Sequence, residues 1–244
     1  MLLRKRPSHI EVYNDLDGDV VNFFRVLQDK QYCADLCSRL ALTPYARAEY
    51  DLAHENVNGE SSDDRIERAR RLVIRAYMGY GSNAGTRRHK CGFRGSDWSA
   101  RQANNKSWPL LPENICRAAR RLIPVVIENR PALDLISAQD SEETLFYLDP
   151  PYVHSARVSF AKDRSYRHEM TDEGHIKLSE KLKQAKGYVV ISGYRTVLYD
   201  ELYNGWYRKE KRALTQGNAK TIYRTECIWL SPRTQETLAY DLFK

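Results

Sequence analysis

The stretch from Thr144 to Tyr152 constrains the fold of this chain most, because an apolar run ends there abruptly in an acidic proline turn. Its first five residues, Thr-Leu-Phe-Tyr-Leu, favour strands and are almost continuously hydrophobic, which is typical of a parallel strand buried on both faces. Asp149 follows at the carboxyl end of that strand, the edge of an open α/β sheet where ligands bind. Pro150 and Pro151 exclude both a helix and further ladder pairing immediately afterwards. The sequence therefore predicts a rigid turn that exposes its polar groups.

The same turn has the chemistry to hold a planar aromatic amine. The Asp149 carboxylate and the Pro150 carbonyl can each accept a hydrogen bond from an amino group, and Tyr152 offers a π-face to a planar ring. The alternative is a strand that ends in a proline turn with an ordinary surface aspartate. The strand and the four residues Asp-Pro-Pro-Tyr together favour the catalytic interpretation.

The four residues 149–152 resemble the Asp-Pro-Pro-Tyr motif of amino-methylating DNA methyltransferases, specifically the Dam-like (D12 class) adenine enzymes. Residues 10–17 are similar to that family's second cofactor strand with its acidic end, residues 188–194 to the strand after the catalytic one, and residues 225–230 to the last strand. The resemblance implies an α/β fold, a doubly wound Rossmann-like sheet with an inserted, mainly helical DNA-recognition subdomain. It also implies methyl transfer from S-adenosylmethionine to the exocyclic amino nitrogen of adenine in double-stranded DNA.

The resemblance implies a role for each candidate site residue. The four residues 149–152 are the catalytic set, and Tyr152 stacks on an adenine flipped out of the duplex. Asp149 also borders the cofactor. Asp15 matches the position whose carboxylate binds the cofactor ribose, although a helix cap is its alternative role. Asp134 is a further cofactor candidate, with an ordinary helix-start aspartate as the alternative.

The resemblance does not extend to the beginning of the chain. The family starts with a lysine-containing turn and a first strand that ends in a Phe-x-Gly-x-Gly loop, which holds the methionine part of the cofactor, and neither occurs before Ile10. Residues 1–6 are instead similar to the middle of the helix that follows this loop. We therefore predict a sheet without its first strand, an N-terminally truncated chain, and weak or absent cofactor binding. The alternative is a catalytically inactive nucleic-acid-binding remnant of such an enzyme.

Basic residues are concentrated in one segment. Residues 61–125 hold fourteen Lys or Arg against five Asp or Glu, in a chain whose formal net charge is +7. Such a segment attracts polyanions through phosphate contacts and counterion release, although a solvated basic helix face has the same composition. The predicted basic surface consists of Arg65, Arg68, Arg70, Arg71, Arg75, Arg87, Arg88, Lys90, Arg94, Arg101 and Lys106.

A Gly-rich polar segment, residues 79–108, lies inside this basic region and resembles the family's target-recognition region. Its composition suits a loop that enters a DNA groove, hydrogen-bonds base edges and wedges an aromatic group beside a displaced base. The aromatic candidates are Phe93, Trp98 and Trp108. A disordered surface loop is the alternative. The expected DNA contacts are Asn83, Arg87, Arg88, Lys90 and Arg94.

Length and composition allow one substantial α/β core with a smaller helical subdomain beside it. We predict a catalytic domain of residues 1–31 and 124–244 and a helical target-recognition subdomain of residues 32–123. No apolar run approaches the roughly 20 residues of a membrane span, and the first residues lack the apolar core of a secretory signal. We expect a cytoplasmic monomer encoded by a bacterium or a phage.

The five cysteines are odd in number and lack the paired Cys-x-x-Cys spacing of a zinc site. Cys33 and Cys37 are one helical turn apart, but no histidine pair accompanies them. We therefore expect reduced thiols in buried helix positions and no metal site.

Overall fold

The computed structural model describes residues 2–55, 64–81, 84–87, 89–95, 107–153, 166–216 and 221–242, with the backbone alone for 213–216, 221–224 and 238–242. The chain forms two compact units. The first comprises residues 1–130 and 164–167, and the second comprises residues 131–163 and 168–244. None of the helices within the described ranges combines the length and the hydrophobicity needed to span a membrane.

The first unit combines a group of helices with a two-stranded parallel sheet. Its strands β1 (Glu11–Asn14) and β2 (Val125–Glu128) pair with Glu11 opposite Val125 and Asn14 opposite Glu128. Its helices are α1 (Gly18–Gln28), α2 (Lys30–Ala41), α3 (Arg47–Leu52), α4 (Arg65–Met78) and α5 (Leu111–Leu122), with short 3₁₀ helices at Leu2–Arg4 and Trp108–Leu110.

Aspartates start three of these helices, because a carboxylate accepts the first unpaired backbone N–H groups. Asp17 caps α1, Asp29 caps α2 and Asp64 caps α4. The apolar faces of the helices then meet in one core, in which Leu36 of α2 and Leu122 of α5 are completely buried.

The second unit contains a mixed sheet of four strands in the order β3-β4-β6-β5. β3 and β4 are parallel, and β6 pairs antiparallel with both β4 and β5. The strands are β3 (Leu145–Leu148), β4 (Tyr188–Tyr194), β5 (Tyr207–Gln216) and β6 (Thr221–Leu230), and the helices are α6 (Ala132–Gln139), α7 (Asp172–Lys183), α8 (Val197–Leu202) and α9 (Pro232–Leu242).

A glycine allows β4 to begin beside the turn that precedes β3. A Cβ atom on Gly187 would lie 2.5 Å from the carbonyl oxygen of Thr144, so a side chain there would displace the backbone. The Asp140 carboxylate accepts hydrogen bonds from the backbone N–H groups of Lys186 and Gly187 at 2.9 to 3.1 Å. These contacts set the register in which β3 and β4 run side by side.

β3 pairs in parallel as predicted, but the prediction that it is buried on both faces is wrong. Phe146 and Leu148 pack against the core of the second unit, whereas Leu145 is 51% exposed and Tyr147 is 45% exposed. Successive side chains on a strand point to opposite faces, so only one face of β3 is covered. An uninterrupted apolar run in the sequence does not distinguish this arrangement from a fully buried strand.

The described helices and strands confirm the α/β class. The predicted domain division places residues 1–31 with residues 124–244, whereas β1, α1 and β2 group with α2 to α5 in the first unit. The side chain of Gln28 at the end of α1 contributes to this grouping, because its amide donates to the carbonyls of Leu122 and Val125. The functional boundaries of the domains stay a prediction.

Candidate active site

Asp149 follows β3 directly and is exposed. Its Oδ1 lies 2.7 Å from Oγ of Ser192, which is also 3.0 Å from the carbonyl oxygen of Leu148. Because Leu148 pairs opposite Ile191, the parallel register brings the next residue of β4, Ser192, beside Asp149. The seryl hydroxyl donates to one of these oxygens at a time and fixes the direction of the carboxylate.

Aromatic rings pack around the same end of β4. Tyr152 contacts Tyr194 with ring centroids 4.4 Å apart and the rings inclined at 63°. Between Ser192 and Tyr194, a Cβ atom on Gly193 would lie 2.7 Å from the ring of Tyr199, so the glycine allows that ring to approach the strand. The motif tyrosine is therefore supported by Tyr194, whereas Tyr199 packs on the opposite face of β4, the face to which Gly193 belongs.

Tyr199 also forms a buried hydrogen-bonded pair with His175. The hydroxyl of Tyr199 is 3.1 Å from Nδ1 of His175, which is completely buried on α7. Burial, together with Tyr203 and the Asp149 carboxylate, raises the pKa of Tyr199 above its usual value. The raised pKa keeps Tyr199 a neutral phenol near neutral pH. This pair could not be predicted from local sequence signals, because its members are 24 residues apart in the chain.

The acidic turn after β1 belongs to the first unit. The Asp15 carboxylate accepts hydrogen bonds from the hydroxyl of Tyr13 at 3.1 Å and from the backbone N–H of Asp17 at 2.9 Å. Asp17, and not Asp15, is the N-cap of α1. The alternative in which Asp15 serves only as the helix cap is therefore wrong, and its binding of a cofactor ribose stays a prediction.

The structure brings only some of the candidate residues together. Asp149, Tyr152 and the unpredicted Ser192 meet at the ends of β3 and β4. Asp134 is exposed in the first turn of α6, where the helix dipole favours a carboxylate without any further role. Asp15 belongs to the other unit.

A carboxylate beside a proline turn and a supported tyrosine ring is the arrangement expected of an enzyme that methylates an aromatic amine. A family model for D12 class N6 adenine-specific DNA methyltransferases matches residues 4–216. The chain belongs to this family. No curated protein matches the chain.

Membership of the D12 family implies methylation of adenine in DNA and therefore a nucleic-acid substrate. The predicted basic surface, however, is wrong for much of α4. Arg75 is only 4% exposed and donates to Asp19 at 2.9 Å and to the carbonyl of Ala53 at 3.0 Å. Arg70 is paired with Glu67 at 2.8 Å. Further ion pairs of α4 join Arg68 to Asp19, Arg70 to Glu49 and Arg71 to Glu67. These guanidinium groups hold the first unit together.

Three of the five predicted DNA contacts lie in described parts of the 79–95 segment. Lys90 is exposed and pairs with Asp51 at 2.7 Å. Arg94 stacks over the ring of Tyr80 with its Cζ 5.9 Å from the centroid. Arg87 forms a β-bridge with Tyr166. Their contact with DNA stays a prediction, and Asn83 and Arg88 lie outside the described residues.

Two of the predicted wedge residues are part of the folded core. Phe93 packs against the core of the first unit and forms a β-bridge with Gly79. Trp108 is 6% exposed and donates its indole N–H to the carbonyl of Thr43 at 2.9 Å. The wedge prediction is therefore wrong for Trp108, whose ring is buried in that core, and it stays a prediction for Phe93, which is only partly buried. Trp98 lies outside the described residues.

Replacing Ser192 by alanine should slow methyl transfer about tenfold, since a hydrogen bond to the charged Asp149 carboxylate is worth about 1.5 kcal/mol. Ser192→Thr, which keeps a hydroxyl, should recover most of the lost rate. The measurement is the single-turnover rate at saturating substrates, with the S-adenosylmethionine dependence recorded for each variant. A rate in Ser192→Ala equal to that of the unmodified protein would show that the serine does not position the carboxylate.

Proposed function

We propose that this protein transfers a methyl group from S-adenosylmethionine to the N6 amino nitrogen of an adenine flipped out of double-stranded DNA. The observation that carries the proposal is the exposed Asp149 carboxylate at the carboxyl end of β3, held by Ser192 and followed by Tyr152. Membership of the D12 family supports the same reaction.

The amino nitrogen of adenine is a weak nucleophile because its lone pair is delocalised into the ring. The Asp149 carboxylate and the Pro150 carbonyl accept its two hydrogens and favour tetrahedral geometry, so that the lone pair is directed outward. Pro151 keeps the turn stiff. Tyr152, packed against Tyr194, stacks on the flipped base and offsets part of its unstacking cost.

S-adenosylmethionine, when bound, supplies an electrophilic methyl group on a sulfonium. The chain's own residues align the amino nitrogen for in-line attack, and the proton leaves the nitrogen after transfer. Asp149 therefore acts mainly through orientation and charge, and no metal is required for this chemistry.

The acidic turn after β1 fits the ribose end of the cofactor. The carboxylate oxygens of Asp15 accept hydrogen bonds from the Tyr13 hydroxyl and the backbone N–H of Asp17 at about 3 Å, and a carboxylate oxygen can accept more than one hydrogen bond. In the same turn, the buried Oδ2 of Asp17 has no hydrogen-bond partner within the described residues. Buried acceptors of this kind are satisfied by ligands as well as by protein groups, so this turn has the right donor–acceptor chemistry for ribose hydroxyls.

We expect weak binding of S-adenosylmethionine, with a dissociation constant above about 100 μM, equivalent to roughly 5 kcal/mol of binding free energy. Within the described residues, Leu145 and Tyr147 leave one face of β3 exposed, so little covered surface is available to the cofactor beside this strand. Isothermal titration calorimetry measures the affinity. A dissociation constant in the low micromolar range would show that other residues supply the methionine end of the pocket.

The function itself is tested by the identity of the methylated base. Unmethylated duplex DNA is incubated with the protein at millimolar S-adenosylmethionine, about tenfold above the expected dissociation constant, and the digested nucleosides are analysed by mass spectrometry. N6-methyladenine is the expected product, and N4-methylcytosine would contradict the proposal. DNA binding without any methylated product would instead support the non-catalytic nucleic-acid-binding alternative.

A further inference from the structure

Three cysteines that are scattered in the sequence meet in the first unit. The Sγ atoms of Cys33, Cys37 and Cys116 all lie within 4.8 Å of one another. Cys33 and Cys37 are one turn apart on α2, and Cys116 lies on α5, which packs against α2. The closest pair, Cys37 and Cys116, has its sulfur atoms 3.4 Å apart. Cys33 is buried, and the other two thiols are partly buried.

These separations match those of thiolates around one metal ion. With metal–sulfur distances near 2.3 Å, two sulfur ligands of a single zinc ion are about 3.8 Å apart in a tetrahedral site. The observed range of 3.4 to 4.8 Å includes this value, so small side-chain rotations would centre the three sulfurs on an ion. The carbonyl oxygen of Pro112 also lies 3.5 Å from Sγ of Cys37.

The chemistry of the cluster selects a soft cation. Thiolates favour zinc and its heavier relatives over magnesium or calcium. Burial, together with the neighbouring sulfurs, raises the pKa of Cys37 above its usual value, and burial raises the pKa of Cys33. Because the thiolate is the form that binds a metal, binding of a cation releases protons and depends on pH.

We propose that Cys33, Cys37 and Cys116 bind one soft divalent cation, zinc in the cell, which ties α2 to α5. The cation would join two helices whose ligands are 79 residues apart and would stabilise the first unit by binding only its folded form. This site is independent of methyl transfer and replaces the expectation, drawn from spacing alone, that the chain has no metal site.

The test uses the fully reduced, metal-free protein and Cd²⁺ alone as a spectroscopic substitute for zinc. We expect one Cd²⁺ per chain by native mass spectrometry, with an ultraviolet thiolate-to-cadmium charge-transfer band. Cys116→Ser should weaken the affinity at least about 100-fold. Cys227→Ser, a matched change of a buried cysteine in the second unit, should leave it unchanged.

A second measurement needs no variant and so does not depend on folding of Cys116→Ser. Saturating Zn²⁺ should slow alkylation of the three clustered cysteines in the unmodified protein, as read by peptide mass spectrometry, and should raise its unfolding midpoint. The proposal is overturned if the reduced protein binds no Cd²⁺, if Cys116→Ser binds it as tightly as the unmodified protein, or if Zn²⁺ leaves alkylation of the cluster unchanged.

Discussion

Replacing Asp149 by alanine should reduce methyl transfer to DNA by about 10³-fold, the size of effect seen when a preorganised polar group at a reacting centre is removed. The variant should remain folded, because the carboxylate is exposed and its partner Ser192 keeps the carbonyl of Leu148 as an acceptor. The expected loss is therefore one of rate and not of structure.

The asparagine variant separates charge from shape. Asp149→Asn keeps one acceptor oxygen in the same place, so we expect a smaller loss, roughly 10²-fold. Glu143→Gln removes an exposed carboxylate just before β3 and serves as the matched control with unchanged activity. Single-turnover rates with labelled S-adenosylmethionine at saturating concentration report the chemical step. If the rate of Asp149→Ala were within about tenfold of that of the unmodified protein, the proposed role of Asp149 in the chemical step would be contradicted.

Replacing Asp19 by asparagine should lower the free energy of unfolding by about 3–5 kcal/mol. Asp19 accepts hydrogen bonds from Arg68 at 3.0 Å, Arg75 at 2.9 Å and Arg167 at 3.0 Å. Without its charge, three guanidinium groups would remain close together, and that of Arg75 is almost completely buried. For a chain of this size the loss corresponds to a fall in melting temperature of roughly 10 °C.

The effect of Asp19 should depend on pH. Burial raises the pKa of this carboxyl, but hydrogen bonds from Arg167 and Arg68 outweigh burial, so the pKa is lowered from 3.8. Its stabilising contribution is therefore complete above pH 3.8 and is lost as the pH falls through the lower value of the folded state. The difference in stability between the unmodified protein and Asp19→Asn should shrink over that acid range.

Asp51→Asn provides the control for this ion-pair network. It breaks the Lys90–Asp51 pair, in which both side chains are about half exposed, and should cost less than about 1 kcal/mol. Urea unfolding of both variants at neutral pH gives the comparison. If Asp19→Asn were no more destabilising than Asp51→Asn, the expected repulsion among the three arginines would be contradicted, because solvent would have to screen their charges from one another.

Local signals in the sequence predicted the helices and strands well. In α1 (Gly18–Gln28) and α4 (Arg65–Met78) an aspartate cap and helically spaced apolar residues fix each start and each buried face. β4 has its predicted bounds, residues 188–194. These features depend on residues that are near each other in the chain.

Long-range partners could not be predicted in this way. The many arginines of α4 predicted a basic surface. In the structure, however, Arg68 and Arg75 form ion pairs with Asp19, which is 49 and 56 residues away in the chain. Ser192 was missed because its position beside Asp149 depends on the register of two strands. The i, i+4 spacing of Cys33 and Cys37 was visible, but the third member of their cluster becomes evident only when α5 packs on α2.

Arg167 gives the first unit contacts from a distant part of the chain. Residues 164–167 belong to the first unit, although the segments on both sides of them belong to the second. Arg167 contributes one of the guanidinium groups on Asp19, and its backbone N–H donates to the carbonyl of Thr86. A gene fragment that ends at Arg130 would lack both contacts. Recombination between relatives would therefore keep these contacts only if residues 1–130 and Arg167 came from the same parent.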